Sequence, residues 1–433
     1  MRIAPSFLRK ISVALLFLVA AHSCTKQRPP ENFNFYGGAS RASNYEAGGS
    51  FRTMIITDFP KQKAGVALAD MPKGAVVPPV PVSFNQNYLV SADGYALRYA
   101  NNVLEWKSPF DKLPSGKRAT AAAFTAADNN DNFYVFANDG AVYSFDKQGK
   151  RRWKQSLFTP NDQSLFSDLC ILQNGIIAAF SNDGTKGTMI KCDLEGKILW
   201  QRTFTLAPTR TIAADAEGNI VCALTHNMAG KTDSLLSLNP EGTPRWGVAL
   251  ENTRILRSPV LAQGMVLLSG ICERNGTRID ILHSIDAASG KKRWTKELTF
   301  TPQGISVGTQ ESANAPLVVV AGYRVGVGEP LSLLYGLDAN GQELWRLSYD
   351  LALAGAPMIG EENIAFVGTK GDALGVYIMR KDGVFEQVIS LSDAPLLCLV
   401  PGVDVQNNLV FAATEQLGLI KVGNLPAQRL LPY

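Results

Sequence analysis

Short apolar stretches separated by polar, glycine-bearing turns recur from about residue 75 onward, and no long segment keeps the helical spacing of apolar positions. The fifth copy shows the unit. A strand runs Ile279-Asp280-Ile281-Leu282-His283-Ser284-Ile285, a turn follows at Asp286-Ala287-Ala288-Ser289-Gly290, and the chain returns through Lys291-Lys292-Arg293-Trp294. Asp286 can accept backbone N–H groups within the turn, and Gly290 supplies the left-handed residue that brings the chain back. Asp146, Asp193 and Asp338 open the same turn in the second, third and sixth copies, and Asn239 opens it in the fourth. Upstream lies another strand with a polar turn, as in Phe133-Tyr134-Val135-Phe136-Ala137-Asn138-Asp139-Gly140. Before that comes an innermost strand closed by a turn such as Glu217-Gly218-Asn219. Each unit reads as a four-stranded antiparallel sheet.

All six tryptophans fall at one place in this unit: Trp106, Trp153, Trp200, Trp246, Trp294 and Trp345. Four residues before five of them stand Gly149, Gly196, Gly242, Gly290 and Gly341; Asn102 takes that place in the first copy. Four residues after them stand Phe110, Leu157, Phe204, Leu250, Leu298 and Tyr349. Side chains alternate along a strand, so each tryptophan shares a face with its apolar follower, and the pair is expected to wedge between adjacent sheets. A period of about 40–50 residues built from short strands is the signature of a β-propeller. Two further copies lack tryptophan; Gln387 stands at its place in the seventh, and the eighth ends on the weak strand Pro426 to Tyr433. The fold class is therefore all-β, an eight-bladed β-propeller of four-stranded antiparallel blades, with seven blades as the alternative. Phe51 to Phe59 is strand-like without a hairpin partner, and is expected to close the ring on the last blade.

The N-terminus adds a destination. Arg2, Arg9 and Lys10 precede an apolar run from Ile11 to Ala21, too short for a bilayer, which needs roughly 20 residues. A basic start and short apolar core mark a secretory signal over 1–23. Its end resembles a bacterial lipobox, which implies that Cys24 carries a lipid anchor; an ordinary cleaved signal is the alternative. Residues 24–50 read as a flexible tether rich in Pro, Gly, Ser and Asn, and 51–433 as the propeller. By resemblance to known lipoproteins, the absence of Asp after Cys24 points to the outer rather than the inner membrane; the periplasmic face is the expectation, and the cell surface stays open as the alternative.

Charge and cysteines exclude rather than assign. The chain has 42 Lys and Arg against 38 Asp and Glu, and three of the cations leave with the leader. A nearly neutral body implies no nucleic-acid partner. Cys170, Cys192, Cys222, Cys272 and Cys398 form no C-x-x-C and read as small buried hydrophobes, with a Cys222–Cys272 bridge left open.

The hairpin resembles the pyrroloquinoline-quinone-type propeller repeat, A-x-D-x-x-T-G-K-x-x-W, at Asp286, Ser289-Gly290-Lys291 and Trp294, and again at Asp193, Gly196-Lys197 and Trp200. With the lipid anchor, the whole is similar to the propeller lipoproteins of the outer-membrane β-barrel assembly machinery, which are non-catalytic scaffolds. The resemblance implies a protein partner, a monomeric body and no cofactor. Quinoprotein dehydrogenases share the repeat, so an enzyme acting on a quinone or sugar is one alternative, and a surface lipoprotein binding carbohydrate or matrix is another. No adjacent Cys-Cys, C-x-x-C-H, G-x-S-x-G or phosphate-binding loop is present. His226 and His283 lack the i, i+4 partner of a helical metal site. No catalytic, cofactor-binding or metal-binding residue is assigned.

What varies between copies is loop length on one rim, where second-to-third-strand loops and connections between blades meet. Asn182 to Gly187, His226 to Thr232, Glu273 to Thr277 and Tyr323 to Pro330 are the longer loops. They carry Lys186, Lys231, Arg274 and Arg324, and the connections add Arg210, Arg254 and Arg257. These seven cations form a candidate crescent for docking an acidic or backbone-rich partner surface; as solvated loop charges they would do nothing.

Overall fold

A computed structural model describes most of residues 80–390 and three short strands beyond, at 402–403, 409–412 and 419–422. The leader, Cys24, the tether, Phe51 to Phe59 and Pro426 to Tyr433 lie outside the described residues, as do loop positions 209–211, 226–232, 256–258 and 325–330. Among the described residues the secondary structure is β throughout. Eight antiparallel sheets follow one another along the chain. We number them blades 1–8: residues 80–109, 126–156, 165–204, 207–249, 253–298, 301–349, 352–390 and 402–422. Within each, strands pair in chain order, so the first is innermost and the last is the outer edge.

The first strands touch one another in sequence from blade 1 to blade 7, and the first strand of blade 8 touches that of blade 1. That contact brings the last blade against the first. A sheet apolar on both faces needs a neighbour on each side, and the second strands show the demand directly: Phe133–Phe136 is buried at every position. Outer strands alternate instead, half-buried and exposed, as along Lys292–Leu298.

Six buried clusters fill the junctions from blade 1–2 to blade 6–7. At the first, Tyr88 and Val90 meet Phe133, Val135 and Phe145, with Tyr88 stacked on Phe133 at 4.8 Å. Each large side chain fully buried there contributes about 1.5–3 kcal/mol. Every tryptophan lies in the same cluster as its apolar follower, from Trp106 with Phe110 to Trp345 with Tyr349. The opposite face of blade 1 is buried too, through Leu89, Leu97 and Tyr99.

The innermost strands depart from the simple four-strand expectation. In blades 3, 4 and 5 they break into two short pieces that pair with one neighbour; Leu165–Phe166 and Cys170–Leu172 both pair with Gly175–Ser181. Blades 6 and 7 keep one strand with a register shift in it. A bulge sharpens the local twist, which suits strands crowded around an axis.

Candidate functional site

Two rims follow from strand order. On one, each outward strand hands over to the next blade while resting on its own blade's second hairpin. Phe110 donates its N–H to Gly94 O at 3.1 Å, Leu157 to Gly140 O at 2.9 Å and Leu250 to Asp233 O at 2.9 Å. The same rim ties to the following blade, because Asn138 donates to Thr120 O at 2.9 Å. The opposite rim carries the aspartate turns, where Asp193 accepts the N–H of Glu195 and Lys197.

Four of the seven candidate docking cations lie among the described residues, on the first rim. Lys186 is exposed, and its N–H is held by Asp183 at 2.9 Å. Arg254 is exposed on the split inner strand of blade 5, opposite Ile271. Arg324 ends the second strand of blade 6, opposite Leu331, and is exposed as well. Arg274 forms an ion pair with Glu297 at 2.9 Å; both side chains are more than half exposed, so the pair contributes at most about 1 kcal/mol. Arg210, Lys231 and Arg257 lie outside the described residues.

The segment from Glu273 to Thr277 is not a long loop. The second and third strands of blade 5 run ten residues each, Met265–Arg274 and Thr277–Asp286, and turn tightly through Asn275 and Gly276. Both turn residues have positive φ, 54° and 72°, the turn that an Asn-Gly pair favours because it matches the twist of the strands. Arg274 therefore stands on a projecting hairpin rather than on slack chain.

Several polar groups inside the ring are engaged with neighbouring side chains and carbonyls. His283 is buried between two threonines, with Nδ1 2.8 Å from Thr295 Oγ1 and Nε2 3.3 Å from Thr253 Oγ1. Burial, with a smaller push from Lys292, lowers its pKa to about 4. Lys191, buried in the third strand of blade 3, donates Nζ to Pro240 O at 3.1 Å, and burial lowers its pKa. On the opposite rim, Arg152 joins Tyr134, Ser144 and the Leu194 carbonyl, while Tyr134 donates to Asp128 at 2.7 Å. Cys170, Cys192 and Cys222 are buried and Cys272 half-buried, and none of the four forms a disulfide, so Cys222 and Cys272 are not bridged in this structure. Burial pushes the Cys222 thiol up to about 12. Among the described residues, no three side chains of His, Cys, Asp or Glu type come together as a metal site would require.

The repeat glycines are closer to function as structure than the sequence suggested. Gly149, Gly196, Gly242, Gly290 and Gly341 all have positive φ, as expected, and each also lies against the tryptophan of the preceding blade. Gly383 of blade 7 does the same to Trp345.

A family model for the outer membrane protein assembly factor BamB matches residues 104–255 and 173–384, together more than half of the chain. Similar solved structures include a europium-containing methanol dehydrogenase, at 10% identity over 89% of each chain with a TM-score of 0.56. A structure titled as the Dos1 propeller matches at 12% identity over 82% of this chain and 94% of that one, with a TM-score of 0.53. At such identities the likeness is one of fold alone. No curated protein matches.

Proposed function

The chain belongs to the family of the outer membrane protein assembly factor BamB, and from that premise we propose that it is an exported outer-membrane lipoprotein whose propeller is a non-enzymatic scaffold for a protein partner in outer-membrane protein assembly. The observation that carries this reading is the rim, where Lys186, Arg254, Arg274 and Arg324 are exposed on elements anchored in the blade stack. Rigid presentation of charge suits docking, because complementary charge accelerates encounter and fixes orientation more than it adds affinity. The titratable groups deeper in the ring are engaged with neighbouring side chains and carbonyls, which supports a structural role for them.

The test is capture of partners from native membranes by the full lipidated chain, alongside a variant with Arg254→Ala, Arg257→Ala and Arg274→Ala. A membrane-protein partner should co-purify with the wild type. Its affinity should fall by roughly one kcal/mol or more in the variant, as loss of a desolvated contact requires. Reduction of a dye by alcohols or sugars on addition of pyrroloquinoline quinone and Ca²⁺, with no partner captured, would replace the scaffold by an enzyme.

A further inference from the structure

One connection between blades is built differently from those that follow. Blade 4 passes to blade 5 through 250–252, blade 5 to blade 6 through 299–300, and blade 6 to blade 7 through 350–351. Blade 1 passes to blade 2 through 110–125, and this segment carries a small hairpin of its own. Lys112 bridges to Arg118, Leu113 N–H donates to Lys117 O at 2.7 Å, and Gly116 N–H donates to Leu113 O at 2.9 Å. Leu113 packs on the core of the blade 1–2 junction. The hairpin lies beside the aspartate turn of blade 2, since Lys112 and Arg118 line one cavity together with Gly149 and Arg151. Lys112 and Lys117 of the hairpin therefore share a flank with Lys147 and Lys150 of that turn. All four are exposed.

The charge on this flank is local and unbalanced. Residues 93–154 hold ten Lys and Arg against seven Asp and Glu. The whole chain holds 42 against 38, and three of the 42 lie in the leader, so the rest of the body is slightly acidic. The arginines of these two blades are engaged. Arg98 donates to Lys147 O at 2.8 Å and pairs with Glu105 at 3.0 Å. Arg118 donates to Phe110 O at 3.0 Å, Arg151 pairs with Asp111 at 2.6 Å, and Arg152 donates to Tyr134 and Ser144. Lys154 takes Asp111 at 3.0 Å and Asp139 at 2.9 Å. Asp146 turns one oxygen onto the backbone N–H groups of Gln148 and Lys150. Asp93 is exposed on the second hairpin of blade 1. Against it stand Lys112, Lys117, Lys147 and Lys150, none with an ion-pair partner among the described residues.

We propose that this flank is a membrane-contact surface, its four lysines resting on the headgroups of anionic phospholipid. The chemistry selects lipid over an acidic protein. A protein interface needs a desolvated anchor, which arginine and aromatic side chains supply. Here the arginines are occupied, and Phe110 and Phe145 beneath the hairpin are 1% and 0% exposed. A lysine is a hydrated point charge on a long stem, suited to a plane of phosphates that demands no fixed geometry. Each one close to an anionic bilayer strengthens binding about fivefold. A ring resting on its flank holds its axis along the membrane plane, which turns the rim cations sideways toward a membrane-embedded partner. The proposal draws on the lipid-anchor reading for its purpose alone: an acyl anchor fixes only the terminus, and the flank fixes the attitude of the ring.

The experiment is lysine footprinting of the full lipidated chain on vesicles of phosphatidylcholine, alone or mixed with phosphatidylglycerol. A water-soluble N-hydroxysuccinimide ester acetylates exposed amines, and mass spectrometry reads each residue. Lys112, Lys117, Lys147 and Lys150 should react at least threefold more slowly when phosphatidylglycerol is present, and recover in high salt. Lys186 on the rim should react alike on both. A second measurement removes the anchor. At low ionic strength the Cys24→Ser chain should partition onto phosphatidylglycerol vesicles, and physiological salt should release it. Adding Lys112→Gln, Lys117→Gln, Lys147→Gln and Lys150→Gln should weaken that partition at least twentyfold with no change in unfolding midpoint. The triple arginine variant of the rim should partition like its parent. A decapeptide of glutamate is the third arm. Equal acetylation on both vesicles, equal protection of Lys186, partition indifferent to the four glutamines, or protection by the peptide and not by vesicles would each overturn the proposal. Failure of lipidation leaves the Cys24→Ser partition as it stands, and failure of the flank leaves palmitate labelling and partner capture untouched, so the readings fail separately.

Discussion

The indole of Trp106 lies against Gly149 of the following blade, and its Nε1 donates a hydrogen bond of 2.9 Å to Lys147 O in the same turn. The relation repeats at five more junctions. Trp153, Trp200, Trp246, Trp294 and Trp345 donate to Leu194, Pro240, Ala287, Ala339 and Lys381 carbonyls at 2.7–3.0 Å. The glycine thus answers two demands at once. Its φ of 81° favours a residue without a side chain, and a Cβ at Gly149 would stand 2.5 Å from the indole. The turn of one blade and the outer strand of the one before it are a single locking unit.

Those two demands separate by substitution. Gly242→Ala meets both, since its φ is 78° and an added Cβ would lie 2.7 Å from Trp200. Gly276→Ala meets only the first: its φ is 72° and nothing stands within 4 Å of the added atom. Gly276→Ala should cost about 1–2 kcal/mol, the penalty of left-handed backbone. Gly242→Ala should cost about 1–3 kcal/mol more, the range for forcing an atom into a packed site. Chemical-denaturation midpoints measure both, and equal losses would mean that the indole moves aside freely.

Much of this was legible in the sequence, and part of it was legible in a way that is easy to miss. The glycine follows the tryptophan of the preceding copy, not its own. Gly383 persists in the seventh copy although Gln387 has replaced its tryptophan, because Trp345 still needs a seat. Asn102 stands in the first copy, and the eighth copy, which precedes it around the ring, has no tryptophan. Other features gave no such signal. Lys191 in a strand reads as exposed, yet it is buried because its stem can run through the core while its ammonium reaches Pro240 O. The hairpin at Lys112 to Arg118 reads as ordinary linker, since only the fold brings Phe145 and Arg151 beneath it. Split inner strands depend on crowding at the axis, which no local pattern encodes.

His283 predicts how stability responds to acid. Its folded pKa, about 4, is depressed from an ordinary value near 6.5, so the folded chain resists a proton that the unfolded chain accepts. Its contribution is fully present above about pH 6.5 and is lost as pH falls through about 4. The loss should amount to about 2–3 kcal/mol, spread over that window. Urea denaturation at pH 7, 5.5 and 4 should show this slope in the wild type and a shallower one in His283→Gln. Parallel slopes would show that the imidazole titrates freely.

Lipidation at Cys24 is a proposal from the terminated apolar run at the N-terminus, and labelling tests it directly. Wild-type cells fed labelled palmitate should yield a labelled, membrane-bound protein. Cys24→Ser should abolish the label and move the chain into the soluble fraction, because a single remaining apolar run of that length cannot anchor it. Membrane retention of the serine variant, or a wild type that never takes up label, would require a different anchor.

Ring closure makes the sharpest demand on the N-terminal segment. Blade 8 has three strands among the described residues, and its first strand touches blade 1. Its third strand, Leu419–Val422, needs a partner on its outer side or presents unpaired backbone groups to solvent and to other chains. We propose that Phe51 to Phe59 supplies it, since this run alternates strand-forming residues and has no hairpin partner of its own. Deleting 51–59 should then lower the unfolding midpoint and promote aggregation. Deleting 25–45, which removes a longer piece of the tether, should do neither. Hydrogen exchange gives an independent reading: amides of Leu419 to Val422 should lose protection in the first deletion and keep it in the second. Unchanged protection after removal of 51–59 would leave Pro426 to Tyr433 as the outer strand, and closure would then depend on the C-terminus alone.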